Sequence, residues 1–138
     1  MQILIFYLNQ RKYGIELQYC KEIDLLEKFT ILHYDSQNFK SYIEGITNLR
    51  GEIITLINLK KLFQLEETSI KEGNLIIRLT VKKAKVSILV DEVFDIISID
   101  NKSKDYSKGH INPNLIPYID YTILYNHEPI LVINVMGL

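Results

Sequence analysis

Few residues of this chain could do chemistry, and Arg50 is the most conspicuous of them. It stands within residues 45–59, GITNLRGEIITLINL, on a short polar stretch of Thr47, Asn48, Leu49, Arg50 and Gly51 between two strongly apolar segments. Glycines at both rims suit a chain that must turn sharply or leave room for another backbone. A guanidinium carries five donors in a rigid fork. It can brace loop carbonyls or a nearby carboxylate, or it can do so at a surface where a partner docks; the residue types leave both readings open. Glu22 is ambiguous in the same way, as a contact residue or as a solvated charge on a short helical turn.

Other candidates are weaker. Cys20 could be a reactive thiol, but nothing local lowers its pKa, so a half-buried packing role is the better reading. His33, His110 and His127 are far apart and read as ordinary surface residues. Asp91, Glu92, Asp95 and Asp100 cluster around one strand but lack the glycine-containing loop of a calcium site, so they read as a solvated acidic rim. Lys82, Lys83 and Lys85 form a basic hairpin tip of the kind that keeps an edge soluble. A glycine-rich phosphate loop, a nucleophile elbow and a Cys/His pair at metal-ligand spacing are all missing from the sequence.

The elements that must position these residues are mostly strands. Residues 53–59 are apolar on both alternating faces, as in a strand covered on two sides. Residues 3–8 and 13–17 read as a hairpin joined by the polar residues 9–12. One or two helical turns are expected at 18–23. An amphipathic helix is expected from Phe39, Tyr42, Ile43 and Ile46 at i, i+3, i+4 and i+7, with Asp35 or Ser36 as N-cap. Leu59, Leu62 and Phe63 share a face of another helical turn, and the polar, acidic residues 64–73 read as a mobile connection. Alternation predicts strands over 75–81, 86–90, 94–99, 118–125 and 130–135, with a polar loop at 101–114 and a turn at 126–129. So many short strands point to small barrels.

A chain of 138 residues, 47% apolar and 24% charged, is an ordinary globular composition for one domain or two small joined ones. Its net charge of −1 supplies no global attraction to nucleic acid or anionic lipid. Apolar runs are too short to span a bilayer, and the N-terminus reads as a first strand and not a signal peptide. A single cysteine fits a reducing cytoplasm.

Residues 45–59, Tyr13, Gly14 and Ile15 with Glu22 and Ile23, and the VDEVFDII run at 90–97 together resemble the CheW family of chemotaxis coupling proteins. The match runs in order along nearly the whole chain; the NLRG loop is its most specific element and VDEV the second. The resemblance implies an all-β fold with short helices, two intimately packed five-stranded β-barrels forming a single CheW-like domain over residues 1–138. It implies no catalytic activity and no cofactor or metal. The implied role is a cytoplasmic adaptor, associated with membrane-bound receptor arrays without inserting into the membrane. It would join the regulatory domain of a CheA-type histidine kinase to the cytoplasmic signalling tips of chemoreceptors.

By position, Cys20 and Glu22 match the family's partner-contact segment, Gly45, Asn48, Arg50 and Gly51 its motif loop, and Asp91 and Val93 its second-barrel segment. Glu22 is accordingly expected to approach Arg50 and hold its fork. Thr55 stands where many members have proline, Asn58 where many have aspartate, and Ile119, Asp120 and Tyr121 replace a small, glycine-containing stretch. No receiver or kinase segment is present, so an unfused member is expected. A reading of another class is a small barrel that stacks single-stranded nucleic acid on its nine tyrosines, which would need a basic groove beside them. An enzyme is a distant third.

Overall fold

The computed structural model describes residues 1–32, 42–81 and 84–138. These form strands β1 (Gln2–Leu8), β2 (Arg11–Glu16), β3 (Cys20–Leu25), β4 (Phe29–Ile31), β5 (Ile43–Leu49) and β6 (Glu52–Asn58), then one helical turn, α1 (Leu59–Leu62). Strands β7 (Leu75–Val81), β8 (Ala84–Val90), β9 (Glu92–Ser98), β10 (Ile119–Tyr125) and β11 (Glu128–Ile133) follow. The chain divides into two compact units, Met1–Tyr19 with Glu92–Leu138 and Cys20–Asp91.

The first unit is a five-stranded sheet in the order β10-β11-β2-β1-β9. Alternation along its strands turns Ile3, Ile5, Tyr121, Ile123, Ile130 and Val132 into one buried cluster. The two end strands are not hydrogen-bonded neighbours, yet the rings of Phe94 on β9 and Tyr125 on β10 lie 6.3 Å apart. The sheet therefore curls until its edges meet through side chains. Tyr7 meets Phe94 edge-on at 5.7 Å, and the Lys12 ammonium, held by Glu128 at 3.0 Å, sits 4.5 Å from the Phe94 centroid. The seam is aromatic, with one cation over it.

The second unit is a sheet in the order β3-β7-β8-β6-β5-β4. The five strands expected of each barrel are thus found in the first unit, while the second carries a sixth, the three-residue β4, paired to β5 through Phe29, Thr30 and Ile31. Both are curled open sheets, with no hydrogen-bonded pairing between their end strands among the described residues. Three hairpins use one device: Asn9 and Gln10 (φ 50°, 68°), Arg50 and Gly51 (49°, 83°), and Asn126 and His127 (50°, 66°) all adopt positive φ. Two consecutive left-handed residues match the right-handed twist of the flanking strands, which makes the tightest hairpin connection. The four-residue connection expected at 9–12 is therefore two residues long, and Arg11 and Lys12 already belong to β2.

Two helical expectations give way to strands. Ile43 and Ile46 lie on β5, paired with β6, and not on an amphipathic helix; Asp35, Ser36 and Phe39 lie outside the described residues, as do His33, Lys82 and Lys83. Ile43, Ile46 and Thr47 are β-branched and Gly45 is a poor helix former, so pairing with β6 overrides an apolar spacing that also fits a helix. At 18–23, one 3-10 turn, Leu17–Tyr19, is all that forms before β3 begins. Glu22 consequently sits on a strand. The helical turn at Leu59 is present as α1, and Asn58 caps it by accepting from Lys60 N at 3.0 Å.

Candidate functional site

On β3 the usual alternation is inverted. Ile23 and Leu25 are exposed while Glu22 and Asp24 point inward and are partly covered. Inward carboxylates on an edge strand need counter-charges; two arginines supply them, and a lysine joins the cluster through Glu52. Arg50 donates through Nη1 to both carboxylate oxygens of Glu22 at 2.7 Å and through Nη2 to Asp24 Oδ1 at 3.3 Å. Arg78 on β7 donates to Glu22 Oε1 at 3.3 Å and to Glu52 Oε2 at 2.8 Å. Lys85 on β8 reaches the same Glu52 oxygen at 3.3 Å.

The expected approach of Glu22 to Arg50 is therefore found, with the fork divided between two carboxylates instead of matched to one. Because Arg50 lies on the β5–β6 turn while Glu22 lies on edge strand β3, with β7 and β8 between them in the sheet order, this pair bridges strands that are not neighbours in the second sheet. Where the first unit closes with aromatics, the second closes with charge.

The surrounding motif residues shape the hairpin that presents Arg50. Asn48 Oδ1 accepts from Gly51 N at 2.9 Å, and Gly51 takes the second left-handed position. Gly45 makes room for β4: a Cβ there would lie 2.2 Å from the Thr30 carbonyl oxygen. Only Arg50 and Gly51 form the turn; Thr47, Asn48 and Leu49 are strand. Cys20 begins β3 at a bulge opposite Leu79 and is half-buried, and burial pushes its thiol up to about 12, so it does not supply a thiolate.

Asp91 stands apart from this cluster. Asp91 ends the second unit and pairs with the nearly buried Lys60 at 2.7 Å, so it is not simply part of a solvated rim. Five residues of β8 lie between it and Lys85, roughly 20 Å along an extended strand. Val93 belongs to the first unit, on β9 opposite Phe6. Sequence reasoning missed Arg78 and Glu52. Arg78 is 5% exposed, and a buried arginine in an otherwise apolar strand was the available signal that a carboxylate must face it.

Electrostatics keep the lattice ionised. Partial burial pushes the Glu22 carboxyl up, but hydrogen bonds and attraction from Arg50 and Arg78 outweigh it, and the net displacement is downward. Glu52 is lowered chiefly by its hydrogen bond to Lys85, and Arg50 is raised chiefly by Glu22. Since the folded carboxylates titrate below their unfolded values, what they contribute to stability is complete above the ordinary Glu range. It is lost as pH falls through the depressed values.

Ser87 stands opposite Arg78 in register, fully buried, with no hydrogen-bond partner for its hydroxyl among the described residues. Its small volume leaves room for the guanidinium. Removing an unsatisfied buried hydroxyl should cost nothing, so Ser87→Ala is expected to be neutral or stabilising by up to about 1 kcal/mol. A denaturant melt showing clear destabilisation would mean that the hydroxyl has a partner in solution.

The family model of the CheW-like domain matches residues 2–138. The chain belongs to the CheW-like family. Among curated relatives it is similar to the chemotaxis protein CheW of Klebsiella aerogenes, 34% identical over 98 residues, which is 71% of this chain and 57% of the relative. It is similar also to that of Treponema pallidum, 31% identical over 105 residues, 73% of this chain and 59% of the relative. The chain thus spans less than two thirds of the curated relatives that it matches. In structure it resembles the scaffolding protein TtCheW from Thermoanaerobacter tengcongensis, with a TM-score of 0.81 at 25% identity, covering 97% of this chain and 84% of that one. Within this CheW-like fold, Asn58 caps α1 with a side-chain oxygen that an aspartate would also supply.

Proposed function

We propose that this CheW-like protein is a non-catalytic adaptor in chemotaxis signal transduction, a single functional domain over residues 1–138 working in the cytoplasm beside membrane-bound receptor arrays. It would couple the regulatory domain of a CheA-type histidine kinase to the cytoplasmic signalling tips of chemoreceptors. Family membership and the names of the relatives support the role. The observation that carries it to particular residues is Arg50, whose side chain is 63% exposed although it is ion-paired to two carboxylates. An arginine anchored this way keeps its remaining surface oriented for a partner at little entropic cost.

Glu22 and Arg50 would form the contact, Gly45, Asn48 and Gly51 would shape it, and Cys20, Asp91 and Val93 would contribute at its flanks or at a second surface. Among the described residues no helix is long and apolar enough to cross a membrane. The nucleic-acid reading is weakened by where the tyrosines go: Tyr13 and Tyr121 are buried, and Tyr7 and Tyr125 pack into the aromatic seam.

Arg50→Ala is expected to weaken formation of the receptor–kinase complex about tenfold or more while leaving the melting temperature nearly unchanged, because exposed ion pairs add little to a fold. Arg50→Gly serves as the backbone control, since glycine takes the left-handed position without strain. Co-sedimentation with a receptor signalling fragment and a CheA-type kinase, run beside thermal melts, reads both quantities. Intact binding, or binding lost only through unfolding, would make Arg50 structural.

A further inference from the structure

We propose that Arg78 is the positioning residue of this contact: held inside the second unit between Glu22 and Glu52, it sets the carboxylate that receives Arg50 and ties down the foot of the Arg50 turn. The consequence for binding rests on the adaptor reading above, whereas the link from Arg78 through Glu22 to Arg50 is a property of the protein alone.

Three observations carry it. Among the described residues strand β3 lies at a sheet edge and pairs only with β7, where Glu22 stands directly opposite Arg78. Arg78 is almost fully buried while Arg50 is largely exposed, so of the two guanidiniums on Glu22 the inner one is the more firmly fixed and the outer one takes its orientation from the carboxylate. Its second arm grips Glu52, the first residue of β6, two positions beyond Arg50.

A buried guanidinium cannot shed its charge and is costly without carboxylates, so Arg78 commits Glu22 and Glu52 to fixed places before any partner arrives. The fork geometry matters. A lysine ammonium is a point charge that cannot offer two fixed directions to carboxylates on β3 and β6. The other charged groups facing this cluster are Asp24, which accepts from Arg50 Nη2, and Lys85, an exposed second cation on Glu52.

The test uses the full chain with Arg78→Met and Arg78→Lys, in wild-type and Arg50→Ala backgrounds. By NMR, the Glu22 carboxyl should titrate below an ordinary glutamate in the parent and move back up towards the ordinary glutamate range in both variants. Arg50 guanidinium protons should exchange faster with solvent in both. Binding to the kinase and receptor fragments should fall about as far as in Arg50→Ala. Adding either Arg78 change to Arg50→Ala should cause no further loss, the mark of two residues acting through one pair. If Arg78→Met does not fold, Arg78→Lys decides the matter.

Unchanged Glu22 titration and Arg50 exchange, or losses that add to that of Arg50→Ala, would overturn the proposal. Failure of the adaptor reading would look different. The parent itself would not bind the fragments, and the titration and exchange measurements would still report on Arg78.

Discussion

Ile57→Asp is expected to abolish folding. Ile57 lies on β6, an interior strand of the second sheet, with Ile43 and Ile88 as its neighbours in register, and it is 4% exposed. A carboxylate placed there has none of the counter-charges that Arg78 and Arg50 offer at the other end of the strand. Burying an unpaired charge costs several kcal/mol, comparable to the whole stability of a domain this size. Ile53→Asp is the matched control. It lies on the same strand, but at 56% exposed the carboxylate stays in water and the melting temperature should hardly move. Thermal melts of both variants check the pair, and a folded Ile57→Asp protein would mean that β6 is not covered as described. The reading of residues 53–59 as covered on both faces thus holds for the far half of β6 and fails at Ile53.

Gly45→Ala should detach β4. The added methyl would stand 2.2 Å from the Thr30 carbonyl oxygen and 3.1 Å from the Thr30 carbonyl carbon, both backbone atoms with no rotamer to escape into. The strand must move, breaking its pairs with β5 and the Thr47 hydroxyl's bond to the Lys28 carbonyl. Overpacking of this kind typically costs about 1–3 kcal/mol, and lost pairing adds to it. Hydrogen exchange should show faster amides in Phe29–Ile31 together with a lowered melting temperature. Native protection of β4 in the variant would show that the backbone there yields easily. Because β5 also carries Asn48 and leads into the Arg50 turn, the same change should weaken partner binding through loop shape.

Both predictions use features legible in the sequence. The glycines of 45–51 announced a close approach and a turn, and the structure assigns one to each: Gly45 to the approach and Gly51 to the turn. Alternation in 75–81 and 86–90 placed β7 and β8, and Leu59, Leu62 and Phe63 placed the one helical turn. Periodicity failed at 39–46 and 18–23. There an apolar spacing fits two structures, and pairing with a distant strand decides between them.

Local backbone chemistry thus determined the tight turns, most of the strands and the motif hairpin, because those depend on residues within a few positions of one another. The charge lattice depends on something else. Glu22 meets Arg50 across 28 positions and Arg78 across 56. Nothing near any of the three in the chain specifies the others. Only the curl of the second sheet, which carries the β5–β6 turn over to edge strand β3, brings a solvent-facing arginine, an inverted strand and a buried arginine onto one carboxylate. Tertiary structure decided that, since ion pairing falls steeply with distance and separation along the chain says nothing of separation in space.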